Sequence, residues 1–332
     1  MTPSRSPLVY WKKIADAGDL KALLAKANLT GDLFLIKPNW FDPRPGSYTD
    51  ARVLDLVLSA LPGKKIIIEG HSHSRNDLSR RITPENMDAE RDWIREQEAR
   101  YLEKLGLKEV MERHGVEYIN VTEEFWAGRL ADPRLVRDLV LSKYGPLTHT
   151  EFYSFVPERL FALRGVTLVD LARIKMTSPT SRDFSLTMKN LFGLLPQPSR
   201  LRYHDQLAES INDINKVYRS LFRVFGLAEG IYQAVIFWEG GRFTTPWSRF
   251  DVVKDLGIAL CGFDLAAVDV AAGRLFGQDL LERAVIKLAR RDFGDFDLAA
   301  LGQPPLLVDL SQPDWPALLL EKGFSLQDEV VD

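Results

Sequence analysis

Along the chain, short apolar runs alternate with longer stretches in which apolar residues recur every three or four positions. The runs "DLFLIKPN" (32–39), "KKIIIEG" (64–70), "VEYINVT" (116–122), "VTLVDLARI" (166–174), "IYQAVIFWEG" (231–240) and "LGIALCGFD" (256–264) have strand length and β-branched character. Between them, "TDARVLDLVLSAL", "PENMDAERDWIREQEARYLEKLG", "SRDFSLTMKNLFGLL" and "DQLAESINDINKVYRSLFRVF" carry helical spacing. Strand–helix alternation predicts an α/β fold, with a largely parallel sheet covered by helices on both faces and joined by right-handed crossovers.

The irregular, aromatic stretch "YGPLTHTEFYSFVPERL" allows a division into two sub-domains. These would be an N-terminal α/β half, 1–150, and a C-terminal α/β half, 151–295. A tail, 296–332, is rich in Pro and Leu and is expected to wrap the surface. Within the first half, the charged segment 80–115 reads as a solvated helical face with charge pairs four residues apart. The alternative is a lid or dimer arm, because Trp93 and Tyr101 stand eight positions apart on it. The second alternative would make the protein a homodimer.

Composition narrows the function classes. Of 332 residues, 45% are apolar and 27% charged, the profile of an ordinary globular chain. Lys and Arg number 43 against 46 Asp and Glu, so no global positive field exists to recruit nucleic acid or an anionic membrane surface. The single cysteine, Cys261, excludes an intramolecular disulfide and any multi-thiolate metal or iron–sulfur site from this chain alone. No run approaches a membrane span and the N-terminus lacks a signal-peptide pattern, so a cytoplasmic location is expected.

Ligands of parallel α/β sheets sit beyond the carboxyl ends of the strands, and three polar clusters fall at such ends. In "IKPNW", Lys37 can hold a carboxylate or phosphate and Asn39 can give and take hydrogen bonds, or the pair is a solvated turn. In "EGHSHSRND", His71 and His73 share one side of an extended chain, with Glu69 two residues before and Arg75 two after. Three readings of that loop stay open: a divalent metal site with Glu69, His71 and His73 as ligands, an acid–base or substrate-binding loop, and a structural turn. A third metal ligand from elsewhere would be Asp77, His149 or His204. In "ARIKMTSPTSRDFSLTMKNLFGLLP" (172–196), a strand ends at Lys175 and a Ser/Thr-rich loop leads into a helix. Ser178 and its neighbours offer hydroxyls and backbone N–H groups to an anion, and Arg182, Ser185 and Lys189 fall on one helical face, followed by Asn190. Asp264 reads as a helix N-cap, and Asp269 as a buried carboxylate that needs a backbone amide or Lys189 as partner.

These clusters line up, in order, with a known family. "LIKPNW", Thr49-Asp50, "IIIEG", "TMKNLFGLLP", "YHD" (203–205), "WEGG" and "GFDLAAVDVAAGRLFG" together resemble the family catalogued as domain of unknown function number 362, over roughly 33–280. Many relatives carry an added cysteine-rich, ferredoxin-like module, which this chain with its one cysteine does not supply. The family tends to read Pro-Lys-x-Lys-Thr-His where this chain has Ala172-Arg173-Ile174-Lys175-Met176-Thr177; Lys175 matches, and Thr177 replaces the histidine. The layout is also similar to lactate-racemase-type enzymes, which implies proton or hydride chemistry on a small carboxylate.

Three functions are therefore expected in competition. The first is an isomerase, lyase or cyclase that acts on a small anionic metabolite, with His71, His73, Lys175 and Lys189 catalytic and Lys37, Asn39, Arg75, Ser178, Arg182 and Asn190 binding substrate. The second is a metal-dependent hydrolase or lyase built on the Glu69 loop. The third is a non-catalytic subunit that binds an anion or a ferredoxin-bearing partner.

Overall fold

The strand β2 (Leu33–Lys37) shows how the core is built. Phe34 and Ile36 face one apolar layer and Leu35 the other, and all three are fully buried. The same alternation repeats in β3 (Lys64–Glu69), where Ile67 opposes Ile66 and Ile68. In β5 (Thr167–Arg173), Val169 and Leu171 oppose Leu168. A side-chain period of two, with both faces apolar, is the pattern of a parallel sheet sandwiched between helices. A computed structural model describes residues 8–75, 80–177, 186–246 and 248–328.

The main sheet has seven strands in the order β1 (Tyr10–Lys13), β11 (Ile258–Gly262), β7 (Arg223–Gly230), β5, β2, β3, β4 (Glu117–Asn120). From β7 to β4 the pairing is parallel; β11 and β1 add an antiparallel edge. The chain runs outward from β2 through β3 to β4, then returns to lay β5 against the other side of β2. The order therefore reverses between β2 and β5, where diverging crossovers leave a crevice at the carboxyl ends of the strands. Strands from both halves of the chain share this one sheet.

At Ile174 the chain steps from the first sheet into a second. Its N–H donates to the Glu229 carbonyl (2.8 Å), and its own carbonyl accepts from the Val235 N–H (3.0 Å). The next residues form β6 (Lys175–Thr177), which pairs in parallel with β8 (Gln233–Phe237). β10 (Arg249–Lys254), its partner β9 (Phe243–Thr244) and β12 (Ser325–Leu326) complete this sheet. The single-residue step carries Lys175 out over the end of the main sheet.

Several expectations are corrected. "VEYINVT" is strand only to Asn120, whose side chain accepts from the N–H groups of Thr122 (2.9 Å) and Glu123 (3.3 Å) and so starts a helix, Val121–Trp126. The tail does more than wrap the surface: Trp315 and Leu319, one helical turn apart, are buried, Trp315 packs edge-on against Trp238, and β12 extends the second sheet. Its leucines need burial whatever the prolines around them signal. The charged segment is two helices, Arg91–Lys104 and Leu107–Arg113, divided at Gly106 in the left-handed region (φ 67°). Its outer face carries the expected pairs four residues apart, Arg100 with Glu96 and Arg113 with Glu109 (3.4 Å), while its inner face, with Ile94, Glu98, Tyr101 and Leu102, is buried. The described part of "SRDFSLTMKNLFGLL" is one α-turn, Thr187–Asn190, and a 3₁₀ turn, Leu191–Leu194, rather than a long helix.

Candidate functional site

The crevice at the strand reversal is a cleft of about 580 Å³. Lys37, Asn39, Asp42, Glu69, His73, Lys175, Thr177, Lys189, Asn190, Arg200 and His204 line it, with Trp40, Phe41, Phe192 and Phe237 as its apolar walls. Ser178 and Arg182 lie outside the described residues, as does Asp77.

Its floor is a buried ion pair. Lys37 ends β2 and donates to Glu69 Oε2 (2.8 Å), to the Pro38 carbonyl (2.8 Å) and to Asn190 Oδ1 (3.4 Å). Both side chains of the pair are 1% exposed. Burial holds the Lys37 ammonium below its ordinary range, and the charge of Glu69 opposes that fall. Glu69 also accepts from the N–H groups of Gly70 (3.0 Å) and Trp40 (3.3 Å) and lies 3.6 Å from the Arg75 guanidinium.

Above this pair sits the "TMKNLFGLLP" segment, and the cleft gives most of its residues a task. Asn190 donates to Asp170 Oδ1 (2.6 Å) and to the Lys37 carbonyl (3.2 Å), and its own oxygen accepts from Asn39 (3.0 Å). Lys189 and Phe192 line the cleft, while Met188, Leu191, Leu194 and Leu195 enter the core. Gly193 is there because a Cβ would stand 2.6 Å from Lys37 Nζ and 2.8 Å from Glu69 Oε1. The carbonyls of Gly193 (2.8 Å) and Leu195 (2.8 Å), with that of His71 (3.0 Å), receive Arg200, which stitches this segment to the histidine loop. Burial lowers the Arg200 guanidinium to about 10.

The segment is anchored by Asp269, whose carboxylate accepts from the N–H groups of Thr187 (2.8 Å) and Met188 (3.0 Å) and from the Thr187 hydroxyl (2.6 Å). Backbone amides are thus the partners this buried carboxylate needs. Burial still pushes its carboxyl up to about 7. Asp269→Ala orphans three buried donors, so urea unfolding is expected to show a loss of about 1–3 kcal/mol. An unchanged midpoint would mean that water replaces the carboxylate. Asp264 caps the same helix, Leu265–Arg274, by accepting from the Ala267 N–H (3.0 Å).

Lys175 and His73 face the cleft from opposite sides of the sequence. Lys175 is buried, donates to the Ser47 carbonyl (2.5 Å) and packs over the Phe41 ring. Burial, with the charges of Arg173, Lys189 and Lys37, lowers its ammonium to about 7 against the opposing pull of Asp42. His73 Nδ1 lies 3.3 Å from the Pro198 carbonyl, and burial together with the Arg200 charge lowers its imidazole.

His71 takes a different direction. The strand ends at Glu69 and a 3₁₀ turn starts at His73, so the alternation that would put both imidazoles on one side lapses. His71 does not line the cleft; its Nε2 is 2.9 Å from Glu123 and its Nδ1 3.5 Å from Glu98. Arg75 is likewise turned away, donating from Nη1 to both oxygens of Glu98 (2.8 and 2.6 Å) and from Nε to the Trp40 carbonyl (2.7 Å). Glu69, His71 and His73 do not converge, and among the described residues no three His, Cys, Asp or Glu side chains are grouped to hold a metal ion. His149 is paired with Asp213 (3.1 Å).

The His71 cluster has a pH signature. Burial works against its imidazolium, but the hydrogen bonds it donates to Glu123 and Glu98 outweigh it and raise the imidazole above 6.5. Glu98, despite burial, is held at about 2 by Arg75 and His71. The imidazole's contribution to stability is complete below 6.5 and is lost as pH rises through its folded value; that of Glu98 is complete above 4.5 and is lost as pH falls towards 2. Between about pH 6 and about pH 9, His71→Asn should therefore lose less stability than the wild type in urea unfolding. Identical slopes would mean that His71 is not charged in the fold.

Sequence reading missed Arg200, Asp42, Asp170, Glu98 and Glu123. Asp42 stood three residues beyond Asn39 and could have been found; Arg200 grips carbonyls, and no residue pattern announces that.

A parallel sheet whose order reverses at a cation-lined cleft defines a doubly wound α/β protein with a candidate site at the switch point. The chain belongs to the family described as Domain of unknown function (DUF362), whose model matches residues 34–274, well over half its length. No curated protein and no solved structure matches it. Every cleft residue named above falls within the matched span. No helix among the described residues is long and apolar enough to cross a membrane.

Proposed function

We propose that this protein is a cytoplasmic enzyme that holds a small carboxylate- or phosphate-bearing metabolite in the switch-point cleft and moves a proton on it, as an isomerase, lyase or cyclase. One observation carries the reading: Lys37, Lys175, Lys189, Arg200, His73 and His204 line the cleft, and among the described residues Glu69 and Asp42 are the carboxylates that line it with them. Glu69 is committed to Lys37, and Asp42 accepts from Arg44 (2.8 and 2.9 Å). Among the described lining residues, lysines and arginine outnumber carboxylates four to two, which favours an anion in a confined, partly apolar space where water screens charge little. Lys189 at the wall binds the anionic group, and Asn39, held in place by Asn190, orients it. A neutral His73 and a Lys175 near neutrality supply acid–base groups suited to pH 7.

The test has two stages. Small carboxylates and phosphates are screened for thermal stabilisation of wild type and Lys189→Met, then binders are incubated in D2O and followed by proton NMR. Stabilisation by at least one anion, weakened about tenfold or more in apparent affinity by Lys189→Met, and deuterium wash-in at a carbon next to the anionic group are expected. Binding without wash-in would leave a non-catalytic anion-binding subunit; no stabilisation by any member would overturn the reading altogether.

A further inference from the structure

The two buried lysines of the cleft are treated differently by the fold. Lys37 spends its charge on Glu69 at 2.8 Å, and Gly193 is kept small so that the pair can close. Lys175 is equally buried, yet among the described residues its ammonium is ion-paired with no carboxylate. Its hydrogen-bond partner there is a neutral carbonyl, that of Ser47, and one flank is the Phe41 ring. It stands in the field of three cations, Arg173, Lys189 and Lys37. An isolated buried ammonium among like charges is costly, whereas a neutral amine there is not. A chain that needed only positive charge at this point would have placed it nearer water or nearer Asp42.

We propose that Lys175 is a nucleophile that forms an imine with the carbonyl of a small oxo compound whose carboxylate or phosphate is held by Lys189. This deepens the proton-transfer reading and rests on it, naming the substrate class as an anion with an adjacent carbonyl. The neutral Lys175 amine adds its nitrogen lone pair to the carbonyl carbon, and one proton passes from nitrogen to oxygen to give a carbinolamine. The C–O bond then breaks, and the oxygen leaves as water after taking one proton from solvent. The protonated imine keeps one hydrogen on Nζ, so amine, carbonyl and one proton give iminium and water with no oxidant or reductant. The iminium acidifies the neighbouring C–H, whose proton His73 can accept. A lowered ammonium, about 7, leaves a large share of Lys175 in the reactive neutral form at pH 7.

Wild-type protein is incubated with pyruvate, or separately with dihydroxyacetone phosphate, in the presence of sodium cyanoborohydride, then digested and mapped by mass spectrometry. One reduced adduct per chain is expected on the Lys175 peptide, formed about tenfold or more faster than on the exposed Lys21. It should be absent from Lys175→Arg. The more reactive arm tells whether the anionic group is a carboxylate or a phosphate. Labelling scattered over exposed lysines, or centred on Lys189, would overturn the imine. If stabilisation by anions persists in that case, the proton-transfer reading stands without it; if anions also fail to stabilise the protein, both fall.

Discussion

Replacing Glu69 by alanine is expected to lower the unfolding free energy by about 3–5 kcal/mol, the cost of breaking a buried ion pair by removing one partner. The size follows from what the carboxylate serves. It takes the Lys37 ammonium at 2.8 Å and the N–H groups of Gly70 and Trp40, all in a setting from which water is nearly absent. Without it, Lys37 keeps the Pro38 carbonyl and Asn190 but no carboxylate in contact, and burial already disfavours its charge. Arg75 suffers less, because both oxygens of Glu98 hold it. Urea unfolding of Glu69→Ala measures the loss, and a Lys37→Met/Glu69→Leu double variant should recover much of it, since no uncompensated charge remains. A loss below about 1 kcal/mol would show that water reaches the floor of the cleft.

The sheet was legible because its strands announce themselves twice, by apolar runs and by alternation with helical spacing. β2, β3 and β5 lie in the core, and burial on both faces leaves a strong signal in composition; β7 was not read as a strand, because residues 223–225 continue the helical spacing of "DQLAESINDINKVYRSLFRVF". Of the second sheet, β8 was legible within "IYQAVIFWEG", and the rest was not. β6 continues β5 after one residue, so a single apolar run hides the step at Ile174, and β12 is two residues long. Of the candidate site, Lys37, Asn39, Glu69, His73, Lys175, Lys189 and Asn190 could be read from their positions at strand ends and do gather in one cleft. His71 could not be told from His73 by spacing. What separates them is Glu98 and Glu123, brought from two helices further along the chain.

Asp269 makes the same point. Its place among Ala and Val marked it as buried and in need of a donor, but the donors are two backbone amides 82 and 81 residues earlier and the Thr187 hydroxyl. Sequence reports that a buried polar group must be satisfied; only the fold says by what.

His73→Gln is expected to lower the rate of substrate deuterium wash-in by about 10²–10⁴-fold with little change in anion affinity, the range for loss of a general base. The imidazole meets the requirements for that role. It faces the cleft, and its Nδ1 lies 3.3 Å from the Pro198 carbonyl, an acceptor that favours the proton on Nδ1 and leaves Nε2, 3.4 Å from the Ser74 hydroxyl, as the basic nitrogen. Burial and the Arg200 charge keep the imidazole neutral to lower pH than usual. The wild-type rate should therefore rise with pH along a limb centred below 6.5 and then level off, and that limb should vanish in His73→Gln. His71→Asn provides the contrast, because its ring is turned from the cleft to Glu123 and Glu98. It should lower stability at about pH 6 while leaving the position of the rate limb unchanged. If His71→Asn moves the limb and His73→Gln does not, the base is the buried imidazole, and its proton must leave through the glutamates that hold it.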